Sequence, residues 1–162
     1  MLSFGKPFIY EGNEFNHSKK NDANSYNSPL SINAINWQEK EANYDLFEYT
    51  KELINLRKSI DVFSYTSEDL IREKLKFIDG LDDSIVGYLL DNKYLVFINA
   101  NCNDMHISAD ILRSSIDNIN SKKIEKVFDK EGKNNIGIDI ESGLSLDSLS
   151  VNVYKIGEAD GL

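Results

Sequence analysis

The chain has 162 residues, 41% of them hydrophobic and 28% charged, and a net charge of −9. This composition supports one ordinary domain or a small domain with an appendage, and it excludes global disorder. The acidic balance excludes a general nucleic-acid binder, because phosphate binding needs a basic footprint and short pairs such as Lys19-Lys20 and Lys122-Lys123 do not make one.

An uncharged ligand suits such a chain. The single cysteine, Cys102, offers neither a disulfide framework nor a CxxC metal site, so no metal and no cofactor are expected. No stretch approaches the roughly 18 consecutive apolar residues of a membrane span. Met1 to Phe4 carry no basic region and too short an apolar run for a signal peptide. The compartment stays open.

Taken in order, Gly5-Lys6-Pro7 is a turn, since Pro7 fixes its own φ and biases Lys6 away from helix. Phe8-Ile9-Tyr10 is a continuous apolar run closed by Gly12, which suits a strand buried on both faces, as in a parallel sheet. No second strand of that type follows. Residues 13–41 form a long loop rich in small polar residues, pinned to a surface by Ile32, Ile35 and Trp37. Tyr26 and Trp37 offer flat faces suited to sugar rings or to packing. His17 and His106 read as surface histidines.

Residues 42–60 read as a helix, capped by Asn43 or Asp45, with Leu46, Thr50, Leu53, Ile54, Arg57 and Ile60 at three- and four-residue spacing. Arg57 is assigned a structural ion pair. From residue 66 the period changes to two. Strands are expected at 75–78, 85–90, 94–100, 105–109, 124–128, 136–140 and 149–156, with a tight hairpin at Asp91-Asn92-Lys93. Residues 109–119 allow a helical turn, Asp129 to Asn135 a charged loop, and Gly157 to Leu162 an unstructured tail. The fold class is mainly β: a C-terminal antiparallel sandwich over 63–157, preceded at 1–62 by one strand, a loop and a helix. One strand plus one helix is the last repeat of something larger.

Gly5-x-Pro7 leading through Phe8-Ile9-Tyr10 into Gly12-Asn13-Glu14-Phe15 resembles the eighth-strand signature of the α-amylase superfamily. Asn24-Ser25-Tyr26-Asn27-Ser28-Pro29 followed by Ser31-Ile32-Asn33-x-Ile35-x-Trp37 resembles the segment after that strand in type I pullulanases. Leu53-Ile54-x-Leu56-Arg57-Lys58 is similar to the end of their last barrel helix. Lys6 departs from the usual Ile or Val.

The resemblance implies the last strand, loop and helix of an incomplete (β/α)8 barrel followed by the family's C-terminal all-β domain. It implies kinship with retaining hydrolases of α-1,6-glucosidic linkages, whose paired carboxylates sit at the ends of earlier barrel strands. Those motifs are absent from residues 1–162, so the isolated chain is expected to have no catalytic residues and no activity. Glu11 and Glu14, three apart at one strand end, cannot flank a substrate from two sides. Asn24, Ser25 and Tyr26 are the expected substrate-binding residues, meeting α-glucan only in the complete barrel. The exposed barrel strand offers a surface for self-association, and residues 1–30 are expected to be held weakly. A second reading is a stand-alone carbohydrate-binding or protein-interaction module using Tyr26 or Trp37.

Overall fold

The computed structural model describes residues 1–158, and they fall into two compact units, Met1–Phe63 and the remainder from Ser64. The first unit has four short helical pieces, then one long helix and a 3-10 turn, Asp61–Ser64, at its boundary. Its earlier 3-10 turns are Asn13–Phe15 and Ser25–Asn27, and its helices are α1 (Leu30–Asn33), α2 (Trp37–Ala42) and α3 (Tyr44–Ser59).

The expected strand at Phe8-Ile9-Tyr10 is not formed. A strand satisfies its backbone groups through neighbours, and the described residues bring none alongside this run. Its side chains are left largely outside: Phe8 is 93% exposed, and Tyr10 is about half exposed with the Lys19 ammonium 5.3 Å above its ring. The described residues form no closed barrel.

Helix α3 follows the predicted spacing and carries Glu48–Lys51 at 3.0 Å on its polar side, yet none of its residues is fully buried. The predicted caps give way to another arrangement. Asn43 stands at the N-cap position without accepting a cap bond, and its Nδ2 instead donates to the Glu39 carbonyl within α2. Asn36 is the residue that caps, accepting from the Gln38 N–H. Arg57 forms none of the described ion pairs. Its guanidinium donates to the carbonyls of Met1, Ser3, Gly5 and Phe63 and lies over the Phe63 ring, so it ties the first residues to α3.

The second unit is antiparallel. After α4 (Glu68–Lys74), a six-stranded sheet runs in the order β1 (Leu75–Phe77), β2 (Ile85–Leu90), β3 (Tyr94–Asn99), β8 (Ser150–Glu158), β5 (Lys122–Asp129), β6 (Gly132–Ile138). A second layer holds the pair β4 (Met105–Ile107) and β7 (Leu144–Leu146) with α5 (Ala109–Ser115). Alternation sends Leu95 and Phe97 of β3, and Tyr154 and Ile156 of β8, into one core with Ile107, Leu112, Leu144 and Leu146. Tyr88, Val96 and Val153 make a buried row across the opposite face, in register.

The β2–β3 hairpin turns on two consecutive left-handed residues, Asp91 and Asn92, which its tight connection requires. Three details differ from expectation. Helix α4 and strand β7 are additional, β5 and β6 extend into the expected loops, and Gly157 and Glu158 continue β8 by pairing with Lys123 and Lys122 instead of starting a tail. The rest of that tail lies outside the described residues.

Candidate functional site

The loop after Gly12 is built from polar side chains answering backbone groups. Gly12 turns at φ 100°, and the Glu14 carboxylate accepts its N–H at 3.0 Å. This positions Phe15 in full burial, with the Trp37 ring 6.1 Å away. His17 Nδ1 meets Glu39 Oε2 at 2.6 Å, and the Ser18 N–H donates to the same oxygen, so the first turn of α2 is fastened to the start of the loop. His17 is therefore not a surface histidine. Its side chain is 2% exposed, and its Nε2 has no partner among the described residues. Bonding from His17, with help from the Ser18 N–H, holds the Glu39 carboxyl below its ordinary pKa.

Within that clasp the chain reverses through Lys20 and Asn21, both left-handed. Asp22 then accepts twice, from the Ser28 hydroxyl at 2.5 Å and from the Asn24 N–H at 3.0 Å, and these bonds lower its pKa in that order of size. Asn33 closes the other side. Its carboxamide donates to the carbonyls of Ser25 at 2.7 Å and Ser28 at 2.8 Å. Lys19 Nζ in turn donates to the Asn33 carbonyl and to Oδ1. Ile32 and Ile35 are only half-buried, and Trp37 is 60% exposed, so the loop is held mainly by hydrogen bonds and less by the apolar anchors expected.

The three expected binding residues are consecutive on this frame. Asn24 leads into the 3-10 turn and is exposed, and Ser25 is half-buried with its carbonyl committed to Asn33. Tyr26 projects at the crest, 87% exposed. A planar ring flanked by a carboxamide and a hydroxyl can stack on and hydrogen-bond a neutral, hydroxyl-rich ligand. Proton transfer and nucleophilic attack need more than this. Glu11 is exposed, and Glu14 is spent on the Gly12 N–H, so the two do not form an opposed acid–nucleophile pair.

Beside the loop, residues 9–14 and α3 enclose a groove of about 530 Å³ with Ile9, Tyr10, Phe47 and Ile54 on its apolar walls and Glu14 and Lys51 among its polar ones. Among the described residues, no group of His, Cys, Asp or Glu is arranged to hold a metal ion, and no helix is long and apolar enough to cross a membrane. Sequence reading assigned no role to Lys19, Asp22 or Asn33 in holding the turn. The available signal was the crowding of Asn, Asp and Ser around a short segment, since such side chains bond nearby backbone.

No family model matches the chain. Over 90 residues, 56% of this chain, it is 34% identical to a pullulanase of Bacillus subtilis strain 168, of which it spans 12%. Among solved structures, a pullulanase from Bacillus acidopullulyticus superposes with a TM-score of 0.80 at 23% identity, covering 94% of this chain and 19% of that one. A pullulanase of Anoxybacillus sp. LM18-11 complexed with maltotriose superposes with a TM-score of 0.75 at 23% identity, covering 95% of this chain and 21% of that one. These likenesses establish a shared fold for nearly the whole chain. The chain is much shorter than each of these proteins.

Proposed function

We propose that the first unit of this chain, which corresponds to the C-terminal portion of a pullulanase-type glycoside hydrolase of family 13 in the α-amylase superfamily, supplies one wall of an α-glucan groove. On this reading residues 1–62 are the last strand position, loop and helix of a (β/α)8 barrel, and 63–157 are the C-terminal β domain. The groove is completed by earlier barrel elements, which also carry the carboxylates that hydrolyse α-1,6-glucosidic linkages.

The observation that carries the reading is Tyr26, 87% exposed on a turn whose neighbouring carbonyls and hydroxyl are all tied down. A large aromatic held outward by so many polar bonds suits a ligand that presents both C–H faces and hydroxyls. The maltotriose bound by the Anoxybacillus pullulanase is of that class.

Residues 1–162 alone are expected to release no reducing ends from pullulan, and hydrolysis by the purified chain would refute the placement of the carboxylates elsewhere. The groove between residues 9–14 and α3, with the exposed Phe8, is where barrel neighbours would pack. In the isolated chain the same surface drives self-association. Light scattering should show a concentration-dependent rise in mass that Phe8→Ser reduces. Tight maltotriose binding by the isolated chain, lost in Tyr26→Ala, would instead support the stand-alone carbohydrate-binding module.

A further inference from the structure

We propose that Asn33, oriented by Lys19, is a positioning residue that pre-forms the Asn24–Ser25–Tyr26 turn before any ligand arrives; this rests on the glucan-groove reading. Both donors and the acceptor oxygen of one carboxamide are engaged. Its two N–H groups reach the carbonyls of Ser25 (2.7 Å) and Ser28 (2.8 Å), which bracket Tyr26 in sequence. Its Oδ1 accepts from Lys19 Nζ at 3.2 Å, and the same ammonium donates to the Asn33 carbonyl at 3.3 Å.

The arrangement has only one sense. An amide turned over would place Oδ1 against two carbonyls and Nδ2 against a cation, so Lys19 fixes which edge of Asn33 faces the turn. Asp22 takes the opposite side, accepting from the Asn24 N–H and the Ser28 hydroxyl. The turn is thus clamped on its carbonyl side by an amide donor and on its donor side by a carboxylate. Lys19 also lies over the Tyr10 ring, which restricts where its ammonium can go.

A loop fixed in its bound conformation spares the ligand the cost of ordering it. Asn33 need not touch glucan to affect binding. Its loss should show as a weaker grip on the ligand with the chemistry of the complete enzyme unaltered.

The test compares the wild-type chain with Asn33→Asp, Lys19→Met and Lys19→Arg by residue-resolved amide exchange. Asn33→Asp keeps the shape, removes both donors and sets a carboxylate against two carbonyls. Protection of the Ser28 amide, which donates to the Ser25 carbonyl, should fall by about ten-fold or more in Asn33→Asp. It should fall less in Lys19→Met and recover in Lys19→Arg, while amides within α3 and β3 stay unchanged. Unchanged Ser28 protection in Asn33→Asp overturns the proposal, and so does an equal loss across α3, which would mark a general structural role.

A second arm places Asn33→Asp and Tyr26→Ala in the Bacillus subtilis pullulanase with its matching segment replaced by this chain. Asn33→Asp should raise KM for pullulan towards the Tyr26→Ala value with kcat unchanged. If Tyr26→Ala raises KM and Asn33→Asp does not, the positioning role fails and the glucan reading stands. If neither moves KM, the glucan reading itself fails, and the positioning role with it.

Discussion

At Gly12 the backbone turns with φ 100°, and a Cβ placed there would meet the His17 Cβ at 2.5 Å. Two penalties coincide, a left-handed backbone and a clash with a side chain that is itself buried. Gly12→Ala should therefore destabilise the first unit by about 2–3 kcal/mol. Gly5 has φ 90°, but a methyl group there would meet nothing within 4 Å, so Gly5→Ala should cost only about 1 kcal/mol. Trp37 is the chain's single tryptophan, and its fluorescence during urea unfolding reports the first unit for both variants.

The same unit should respond to acid. Asp22 and Glu39 both have their pKa lowered by bonds made in the folded loop, to Ser28 and His17 first. A carboxyl lowered on folding contributes stability that is fully present above its unfolded pKa and is lost as pH falls through the folded value. Protection of the Asn24 and Ser18 amides, which donate to these carboxylates, should therefore be constant near neutrality and decline only below the ordinary carboxylate range. A loss beginning near neutral pH would place the control elsewhere.

Among the elements, β3 and β8 show how much packing follows from alternation. Phe97 and Tyr154 meet edge to face with centroids 6.3 Å apart, both fully buried. Phe97→Ala should cost about 3–5 kcal/mol in thermal or chemical unfolding of the second unit. Tyr154→Phe should be nearly neutral. It keeps the ring contact and removes a hydroxyl that has no partner among the described residues and whose pKa burial raises.

These strands were legible because Leu95, Phe97, Tyr154 and Ile156 recur at period two. Helix α3 was legible because its apolar residues recur at three and four. Phe8-Ile9-Tyr10 reads as a strand yet forms none among the described residues, because an apolar run records a preference for strand, whereas a strand forms only with a neighbour to pair with. The role proposed for Asn24–Tyr26 was suggested only by family likeness. The polar frame beneath was not legible, because its bonds join Lys19 to Asn33 and His17 to Glu39, pairs separated by 14 and 22 positions with no periodic signal.

At the scale of the molecule the two units differ in how completely they bury their own apolar surface. The second has a continuous core. The first leaves Phe8, Tyr26, Leu30 and Trp37 more than half exposed. Limited proteolysis should accordingly cut first within residues 6–10, which belong to no helix or strand, and leave the six-stranded sheet intact. First cleavage within β3 or β8 would contradict the division of stability.

The chain spans 12% of the Bacillus subtilis pullulanase it matches, and it is proposed to supply a binding wall without the reacting carboxylates. The most direct test is the KM for pullulan of that pullulanase carrying this chain in place of its own matching segment, with Tyr26 and with Tyr26→Ala. The expected result is an active hybrid in which Tyr26→Ala raises KM about ten-fold and leaves kcat within about two-fold. An active hybrid whose KM is the same with and without the Tyr26 ring would contradict it.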